Sequence, residues 1–175
     1  MNSRITICLT GPESTGKSTL AKILAEFFHW PVVTEYARQF LSSGGVVHTV
    51  NDLVRLAHHQ IESENQARRS LSNGIICDTD MLVLKIWCLE KFNRVPNALT
   101  ALSKHHRYDL TLLCKPDTPW QPDPLREHPL DRDRLFDHYL TEALTLKTNF
   151  KIIEGHGEQR TRLAIKIVEE YLKHH

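Results

Sequence analysis

The sequence predicts an α/β fold, a single domain over residues 1–175 in which helices flank a five-stranded, mainly parallel sheet. Short apolar runs alternate with longer amphipathic runs along the chain, as a parallel sheet with helical crossovers requires. The first apolar run, residues 5–10, has the composition of a central strand covered on both faces. A chain of 175 residues is also long enough to bury one proper core.

Local signals place the individual elements. Apolar residues between positions 20 and 28 recur at the spacing of one helical face. Thr49 and Asp52 form a capping box that opens a long helix, and the turn at 72–74 separates that helix from the third strand. The predicted elements are strands at 4–10, 31–34, 75–78, 108–114 and 150–154, helices at 19–28, 35–41, 49–71, 81–92, 96–106 and 135–146, and a last helix whose apolar face runs from 163 to 172.

Residues 115–134 interrupt this alternation. The segment contains five prolines and three arginines and has little apolar periodicity. Proline-rich stretches of this length without periodicity are typical of long loops. We therefore predict a Pro- and Arg-rich lid at 115–134.

The turn after the first strand, Gly11-Pro12-Glu13-Ser14-Thr15-Gly16-Lys17-Ser18, matches the Walker A phosphate-binding pattern. It follows a predicted strand and precedes a predicted helix, which is the context that the pattern requires. Backbone N–H groups of such a loop form a concave anion site at a helix N-terminus. The motif predicts a P-loop NTPase or kinase fold that binds a nucleoside triphosphate.

Each residue of this loop has an expected role. Lys17 can reach the β- and γ-phosphates, and the Ser18 hydroxyl can bind Mg²⁺. Nucleotide contacts are expected from Gly11, Glu13, Ser14, Thr15, Gly16, Lys17, Ser18 and Thr19.

Composition argues against several other classes of protein. Lys and Arg total 22 against 21 Asp and Glu, a net charge of +1, which gives no broad field for nucleic acid or an anionic membrane. No apolar run has the length of a transmembrane helix, and the N-terminus leads directly into a strand, so we expect no signal peptide and a cytoplasmic protein. The four cysteines form no C-x-x-C pair, which predicts reduced thiols.

Carboxylates follow the third predicted strand as Asp78-Thr79-Asp80. Ligands of open α/β sheets bind beyond the carboxyl ends of the strands. Asp78 can hold Mg²⁺ or accept the proton of an attacking hydroxyl. Asp80 can contact substrate, or it can cap the helix that follows.

The segment after the second strand, Glu35-Tyr36-Ala37-Arg38, lies where small P-loop kinases place the acceptor. Glu35 can bind sugar hydroxyls, Tyr36 can stack on a base, and Arg38 can hold an anion. A charged first helical turn is the plainer alternative.

The predicted lid carries arginines suited to closing over phosphates, and we favour Arg126 and Arg132 over Arg134. The interleaved acidic residues leave a solvated surface as the alternative. Trp87, Trp120 and Tyr139 can stack on a base. Core packing suits Trp87 better, and Trp120 is the better ligand-facing candidate. Gly155 can let the backbone approach the adenine, although a plain turn explains it nearly as well.

Together these residues resemble the kinase domain of bacterial bifunctional NAD-biosynthesis regulators, a nicotinamide riboside kinase of the AAA-like ATPase and kinase group. The resemblance rests on the Walker A loop, Glu35-Tyr36-Ala37-Arg38, Asp78-Thr79-Asp80, the strand at 108–113, and Trp120 with Leu125-Arg126. It extends from Ile5 to about Arg162. Two features differ from that family: the sequence shows no nucleotidyltransferase or DNA-binding segment, and Thr34 stands where the family has an aromatic residue.

The resemblance implies ATP- and Mg²⁺-dependent phosphorylation of a ribosyl 5′-hydroxyl, with nicotinamide riboside converted to nicotinamide mononucleotide. Lys17, Asp78, Glu35, Arg126 and Arg132 are the expected catalytic residues. Glu35, Tyr36, Arg38, Asp80 and Trp120 are expected at the acceptor, and Ser18 and Asp78 at the metal. The alternatives are a kinase for another nucleoside or nucleotide, and a regulatory ATPase without a small acceptor.

Overall fold

The structure, a computed structural model, describes residues 4–70, 72–126 and 128–174. It contains one five-stranded sheet in the order β2-β3-β1-β4-β5, and every strand pair in it is parallel. The strands are β1 (Ile5–Thr10), β2 (Val32–Val33), β3 (Gly74–Cys77), β4 (Leu110–Cys114) and β5 (Phe150–Ile153). The predicted α/β class and the parallel sheet are therefore confirmed.

The helices alternate with these strands as predicted. They are α1 (Lys17–Phe28), α2 (Tyr36–Ser42), α3 (Val50–Ala67), α4 (Met81–Phe92), α5 (Asn97–His105), α6 (Arg132–Thr145) and α7 (Gly157–Lys173). The α4 boundaries agree with the prediction. Helix α3 ends at Ala67, with Arg68 as its C-cap, so the prediction that it extends to about Leu71 is wrong for residues 68–70, and position 71 lies outside the described residues.

Two predicted boundaries differ from the structure for identifiable reasons. Helix α6 begins at Arg132 instead of 135, because its first turn is polar and gives no apolar period. The predicted lid therefore overlaps a helix, and only residues 115–131 lie between β4 and α6. Strand β4 begins at Leu110 instead of 108, because the Asp109 carboxylate accepts the Thr6 N–H at 2.6 Å in place of a ladder bond.

The sheet is covered on both faces. Ile7 and Leu9 of β1 pack with α1 and α7 in one buried cluster, whereas Cys8 joins Val33 and Cys77 in another. A further buried cluster joins α2, α3, α4 and α5. All four cysteines are buried and unpaired, in accordance with the predicted reduced state. No helix among the described residues is both long and apolar enough to cross a bilayer.

The sheet order determines where a ligand can bind. Strand β1 lies in the centre, with β3 on one side and β4 on the other. The Walker A loop leaves the carboxyl end of β1, so it lies between Asp78, which follows β3, and Lys115, which follows β4. The expected site therefore forms at the carboxyl edge of the sheet.

Candidate active site

The Walker A loop is held in shape by its backbone and by Lys17. Gly11 and Gly16 have φ values of 125° and 77°, and a Cβ on Gly11 would lie 2.6 Å from the Cys114 carbonyl oxygen. The Nζ of Lys17 donates hydrogen bonds to the carbonyl oxygens of Gly11 at 2.8 Å and Pro12 at 2.6 Å. Glycine at position 11 is thus required both by the backbone conformation and by the close approach of β4.

The N-terminus of α1 suits an anion. Gly16 is the N-cap, and no side chain caps the helix. The first turn contains no acidic residue, so nothing in it repels a phosphate. The first N–H groups of a helix have no partner within the helix and carry its positive dipole end.

Asp78 provides a carboxylate beside this loop. Its side chain is buried, and a hydrogen bond with Ser18 links the carboxylate to the first turn of α1. Burial raises the pKa of Asp78, while the Ser18 hydrogen bond and the charge of Lys17 oppose that rise. The Oδ1 atom is buried and has no hydrogen-bond partner among the described residues. A free carboxylate oxygen next to a hydroxyl is a donor set that fits Mg²⁺.

Glu35 provides a second carboxylate, at the N-cap of α2. Burial raises the pKa of Glu35, and the positive charge of Lys17 is the strongest effect opposing it. Burial conversely lowers the pKa of Lys17, and the negative charge of Glu35 is the strongest effect opposing it. The two residues therefore stabilise each other's charged forms across the site.

Asp80 has the contacts of a helix cap. Its Oδ1 accepts the Val83 N–H at 3.1 Å, which makes Asp80 the N-cap of α4, and it accepts the Thr10 hydroxyl at 2.7 Å. The side chain is buried and does not line the cavity described below. These contacts match the capping alternative.

The two other polar residues of the acceptor segment differ in their surroundings. Arg38 forms an ion pair with Asp123 of the 115–131 segment and remains 45% exposed. The Tyr36 ring stacks on His59 at 4.7 Å between centroids, and the Tyr36 N–H donates to Gln60 Oε1 at 2.8 Å. Arg38 therefore points toward the site, whereas Tyr36 is engaged with α3.

The 115–131 segment contacts the tip of the phosphate loop. The Ser14 carbonyl oxygen accepts hydrogen bonds from Thr118 Oγ1 of this segment at 2.8 Å and from Arg132 Nη1, at the start of α6, at 3.0 Å. The Ser14 hydroxyl oxygen accepts the Gln121 N–H at 2.9 Å, and Arg126 Nη1 lies 3.3 Å from it. The segment therefore covers the loop in this conformation.

Trp120 binds the two favoured arginines and does not line the cavity. The guanidinium carbons of Arg126 and Arg132 lie 5.9 and 5.7 Å from its ring centroid, within the range of cation–π contacts. Arg134 instead pairs with Glu90 and Asp131 on the surface. The arrangement separates Arg134 from the other two, in the direction that the sequence indicated.

A single cavity of about 1130 Å³ joins the phosphate loop to the acceptor segment. Of the predicted site residues, it is lined by Gly11, Glu13, Ser14, Thr15, Gly16, Lys17, Ser18, Thr19, Glu35, Arg38 and Arg126. Tyr36, Asp78, Asp80, Trp120, Arg132 and Gly155 are not among its lining residues. The cavity thus gathers most of the predicted nucleotide residues and only part of the predicted acceptor set.

Several lining residues carried no signal in the sequence. Val46 and Val47 follow α2, and Arg160 lies in the first turns of α7. Trp87, for which the sequence favoured core packing, lines the cavity while also packing against the α2–α5 cluster. Tyr139 is buried on α6 and lines the cavity as well. The sequence did mark these last two residues, as aromatic side chains that could stack on a base.

The sequence matches the AAA domain family over residues 6–160. The chain belongs to this family. Over 169 residues it is 28% identical to the trifunctional NAD biosynthesis/regulator protein NadR of Escherichia coli (strain K12), a match that covers 94% of this chain and 41% of NadR. The chain thus spans about two fifths of the length of that relative. The resemblance to NAD-biosynthesis regulators is therefore confirmed.

Solved structures agree with this AAA-domain assignment at the level of the fold. A NadR protein in complex with NR superposes with a TM-score of 0.82 at 22% identity, covering 97% of this chain and 52% of that chain. Deoxyadenosine kinase from M. mycoides with bound dCTP gives a TM-score of 0.59 at 11% identity, covering 95% and 100% of the two chains. Both are built on the fold described here.

Proposed function

We propose that this chain is a nucleoside kinase that transfers the γ-phosphoryl group of ATP to the ribosyl 5′-hydroxyl of nicotinamide riboside. The product is nicotinamide mononucleotide. The observation that carries the proposal is one cavity lined both by a Walker A loop and by Glu35 and Arg38. The similarity to NadR, and the NadR structure that contains NR, support the choice of acceptor.

The nucleotide occupies the half of the cavity formed by the loop and α1. Backbone N–H groups of the loop and the first turn of α1 bind the phosphates, and Lys17 neutralises their charge. Ser18 and Asp78 would hold Mg²⁺, which screens the phosphate charge when it is bound.

Glu35 serves the acceptor. It lines the cavity, lies close enough to Lys17 for their charges to interact, and has a raised pKa. We assign Glu35 as the group that orients the 5′-hydroxyl and accepts its proton. The hydroxyl oxygen then bonds to the γ-phosphorus, the bond from that phosphorus to the β–γ bridging oxygen breaks, and ADP leaves. Asp78, bonded to Ser18, is assigned to the metal side.

Arg126 and Arg132 neutralise charge as the phosphoryl group moves. Both are held against Ser14 and Trp120, so they are anchored at the phosphate loop by contacts within the protein. Little rearrangement of charge is then needed during transfer, which is the condition under which fixed cations lower a barrier. The 115–131 segment acts as the lid.

The test is ADP release from Mg²⁺-ATP in the presence of nicotinamide riboside, with the product identified by mass. We expect strong stimulation by nicotinamide riboside and a product heavier by one phosphoryl group. Lys17→Ala serves as the inactive control. Release of ADP that no nucleoside stimulates would contradict the proposal and favour a regulatory ATPase.

A kinase for another nucleoside is the second candidate, and Thr34 favours it. This residue stands where the resembled family has an aromatic residue, and its hydroxyl accepts a hydrogen bond from Gln39. A threonine at this position offers no ring that could stack on a nicotinamide. A panel of purine and pyrimidine nucleosides in the same assay separates the two candidates.

A further inference from the structure

Arg160 has an unusual environment for a charged residue. It lies in α7, its side chain is 6% exposed, and it donates to four acceptors from separate parts of the chain. Nη1 donates to Asp117 Oδ1 at 2.7 Å and to the Gly155 carbonyl oxygen at 3.1 Å. Nη2 donates to the carbonyl oxygens of Thr15 at 3.0 Å and Lys115 at 3.1 Å.

Asp117 completes this network. One of its oxygens accepts from Arg160, and the other accepts the Gly155 N–H at 2.7 Å. The carboxylate therefore neutralises the buried guanidinium, which would otherwise be strongly destabilising. It also fixes the turn after β5 directly.

The network joins three segments that lie far apart in the sequence. Thr15 belongs to the Walker A loop, Lys115 and Asp117 follow β4, and Gly155 follows β5. Only a guanidinium offers donors in a rigid fork that can serve several carbonyl oxygens at once, so lysine cannot replace it. The neighbours of Gly155, His156 and Gly157, line the same cavity as the loop.

We propose that Arg160, paired with Asp117, is a positioning residue for nucleotide binding. It sets the distance between the phosphate loop and the turn after β5, and so sets the affinity for the nucleoside triphosphate. The acceptor residues Glu35 and Arg38 belong to other elements, and none of the hydrogen bonds of Arg160 and Asp117 described above reaches them. The inference rests on the proposed function only for the identity of the acceptor.

The experiment compares Arg160→Lys, Asp117→Asn and Lys166→Gln. Arg160→Lys keeps the positive charge but loses the planar, forked set of guanidinium N–H donors. Asp117→Asn keeps one acceptor oxygen and replaces the other with a donor that opposes Arg160 or the Gly155 N–H. Lys166, on the same helix and 72% exposed, is the matched control. Calorimetry with ATP gives the affinity without an acceptor, kinetics gives KM for each substrate, and thermal unfolding gives the stability.

We expect Arg160→Lys and Asp117→Asn each to weaken ATP binding by about tenfold or more, the size of one lost charge-assisted hydrogen bond. The acceptor KM should change less than about twofold on the same reasoning, because no bond in the network reaches the acceptor residues. Lys166→Gln should change neither quantity. If Arg160→Lys does not fold, Asp117→Asn decides the question by calorimetry below its own melting temperature, because asparagine keeps one acceptor oxygen and the Asp117 side chain is 25% exposed.

Lower thermal stability with unchanged ATP affinity would show that the network is merely structural and would overturn the inference. An equal loss for ATP and acceptor would overturn it too. ATP affinity is measured without acceptor, so failure of nicotinamide riboside phosphorylation would refute the proposed function and leave this inference standing.

Discussion

The two halves of the cavity are built differently. The part that we propose for the nucleotide, the nucleotide half, comes mainly from consecutive residues between Gly11 and Thr19, whose positions depend on backbone conformation and on the close packing of Gly11 against Cys114. The part that we propose for the acceptor, the acceptor half, collects side chains from separate elements, among them Glu35 after β2, Trp87 on α4 and Tyr139 on α6.

This difference has a chemical consequence. Phosphates are the same in every nucleoside triphosphate, so a rigid backbone cradle suits them. Acceptors differ in shape and polarity, and side chains from several elements can change one at a time without disturbing the cradle. We therefore expect substitutions in the nucleotide half to lower turnover of all acceptors alike. The effect of substitutions in the acceptor half should depend on which acceptor is used.

Lys17→Ala is the strongest way to test the nucleotide half. Loss of the ammonium removes the charge at the phosphates, and we expect kcat to fall by roughly 10²–10³-fold, or more, with every acceptor. The fold should persist, because the hydrogen bonds of this side chain within the described part of the chain go to carbonyl oxygens of its own loop. ADP release and circular dichroism check both points. Lys104→Ala, at an exposed position on α5, is the control. Unchanged turnover would refute the phosphate-loop assignment.

Glu35→Gln tests the acceptor half, with a smaller expected effect. Loss of the base should lower kcat by roughly 100-fold, in the range measured for general bases. Burial raises the pKa of Glu35, and protonation of Glu35 removes the base. As the pH is lowered, the wild-type rate should therefore begin to fall at a pH above the ordinary pKa of glutamate. In the variant, this decrease in rate at low pH (the acid limb of the profile) should disappear or shift to another pH. The measurement is a pH–rate profile of each protein.

The control for this variant is Glu62→Gln, at an exposed position on α3, which should keep the wild-type profile. An unchanged kcat and acid limb in Glu35→Gln would instead assign the proton transfer to Asp78, whose pKa burial also raises. The pH profile thus distinguishes the two carboxylates that the sequence left open.

The same contrast explains what the sequence could predict. The Walker A loop was predictable because its chemistry is encoded in consecutive residues, and Glu35 and Asp78 were predictable because each follows a strand. Arg160 and Asp117 carried no such signal. Their pairing joins positions that are 43 residues apart and depends on where β4 and β5 end.

The boundaries that differed also have physical causes. Helix α6 begins with a polar turn, which apolar periodicity cannot detect, so Arg132 was predicted in the lid. The roles of Trp87 and Trp120 required tertiary contacts: Trp87 lines the cavity from α4, whereas Trp120 lies against Arg126 and Arg132. Sequence patterns show which residues face inward, but they do not show whether an inward side chain meets the core or a ligand.

Asp80 should belong to neither half, and its substitution has the smallest expected effect on activity. Asparagine keeps an acceptor oxygen for the Val83 N–H and the Thr10 hydroxyl. We therefore expect Asp80→Asn to keep kcat and both KM values within about twofold, because capping is retained. A large loss of activity would show that Asp80 contacts substrate or metal. Steady-state kinetics decides between these outcomes.

The pH dependence of stability provides the second readout for Asp80. Burial raises its pKa to about 6, so folding favours the protonated form. Its contribution to the free energy of unfolding is complete below the unfolded value of about 3.9 and is lost as the pH rises through about 6, by up to about 3 kcal/mol. Asp80→Asn should flatten this dependence in urea unfolding between pH 4 and 7.

Asp52 provides the control for this measurement. It has a pKa lowered to about 2 by hydrogen bonds from Thr49, so its contribution to the free energy of unfolding is lost only as the pH falls below 4. Asp52→Asn should therefore leave the slope between pH 4 and 7 intact, and an equal change in both variants would contradict the assignment of that slope to the buried cap.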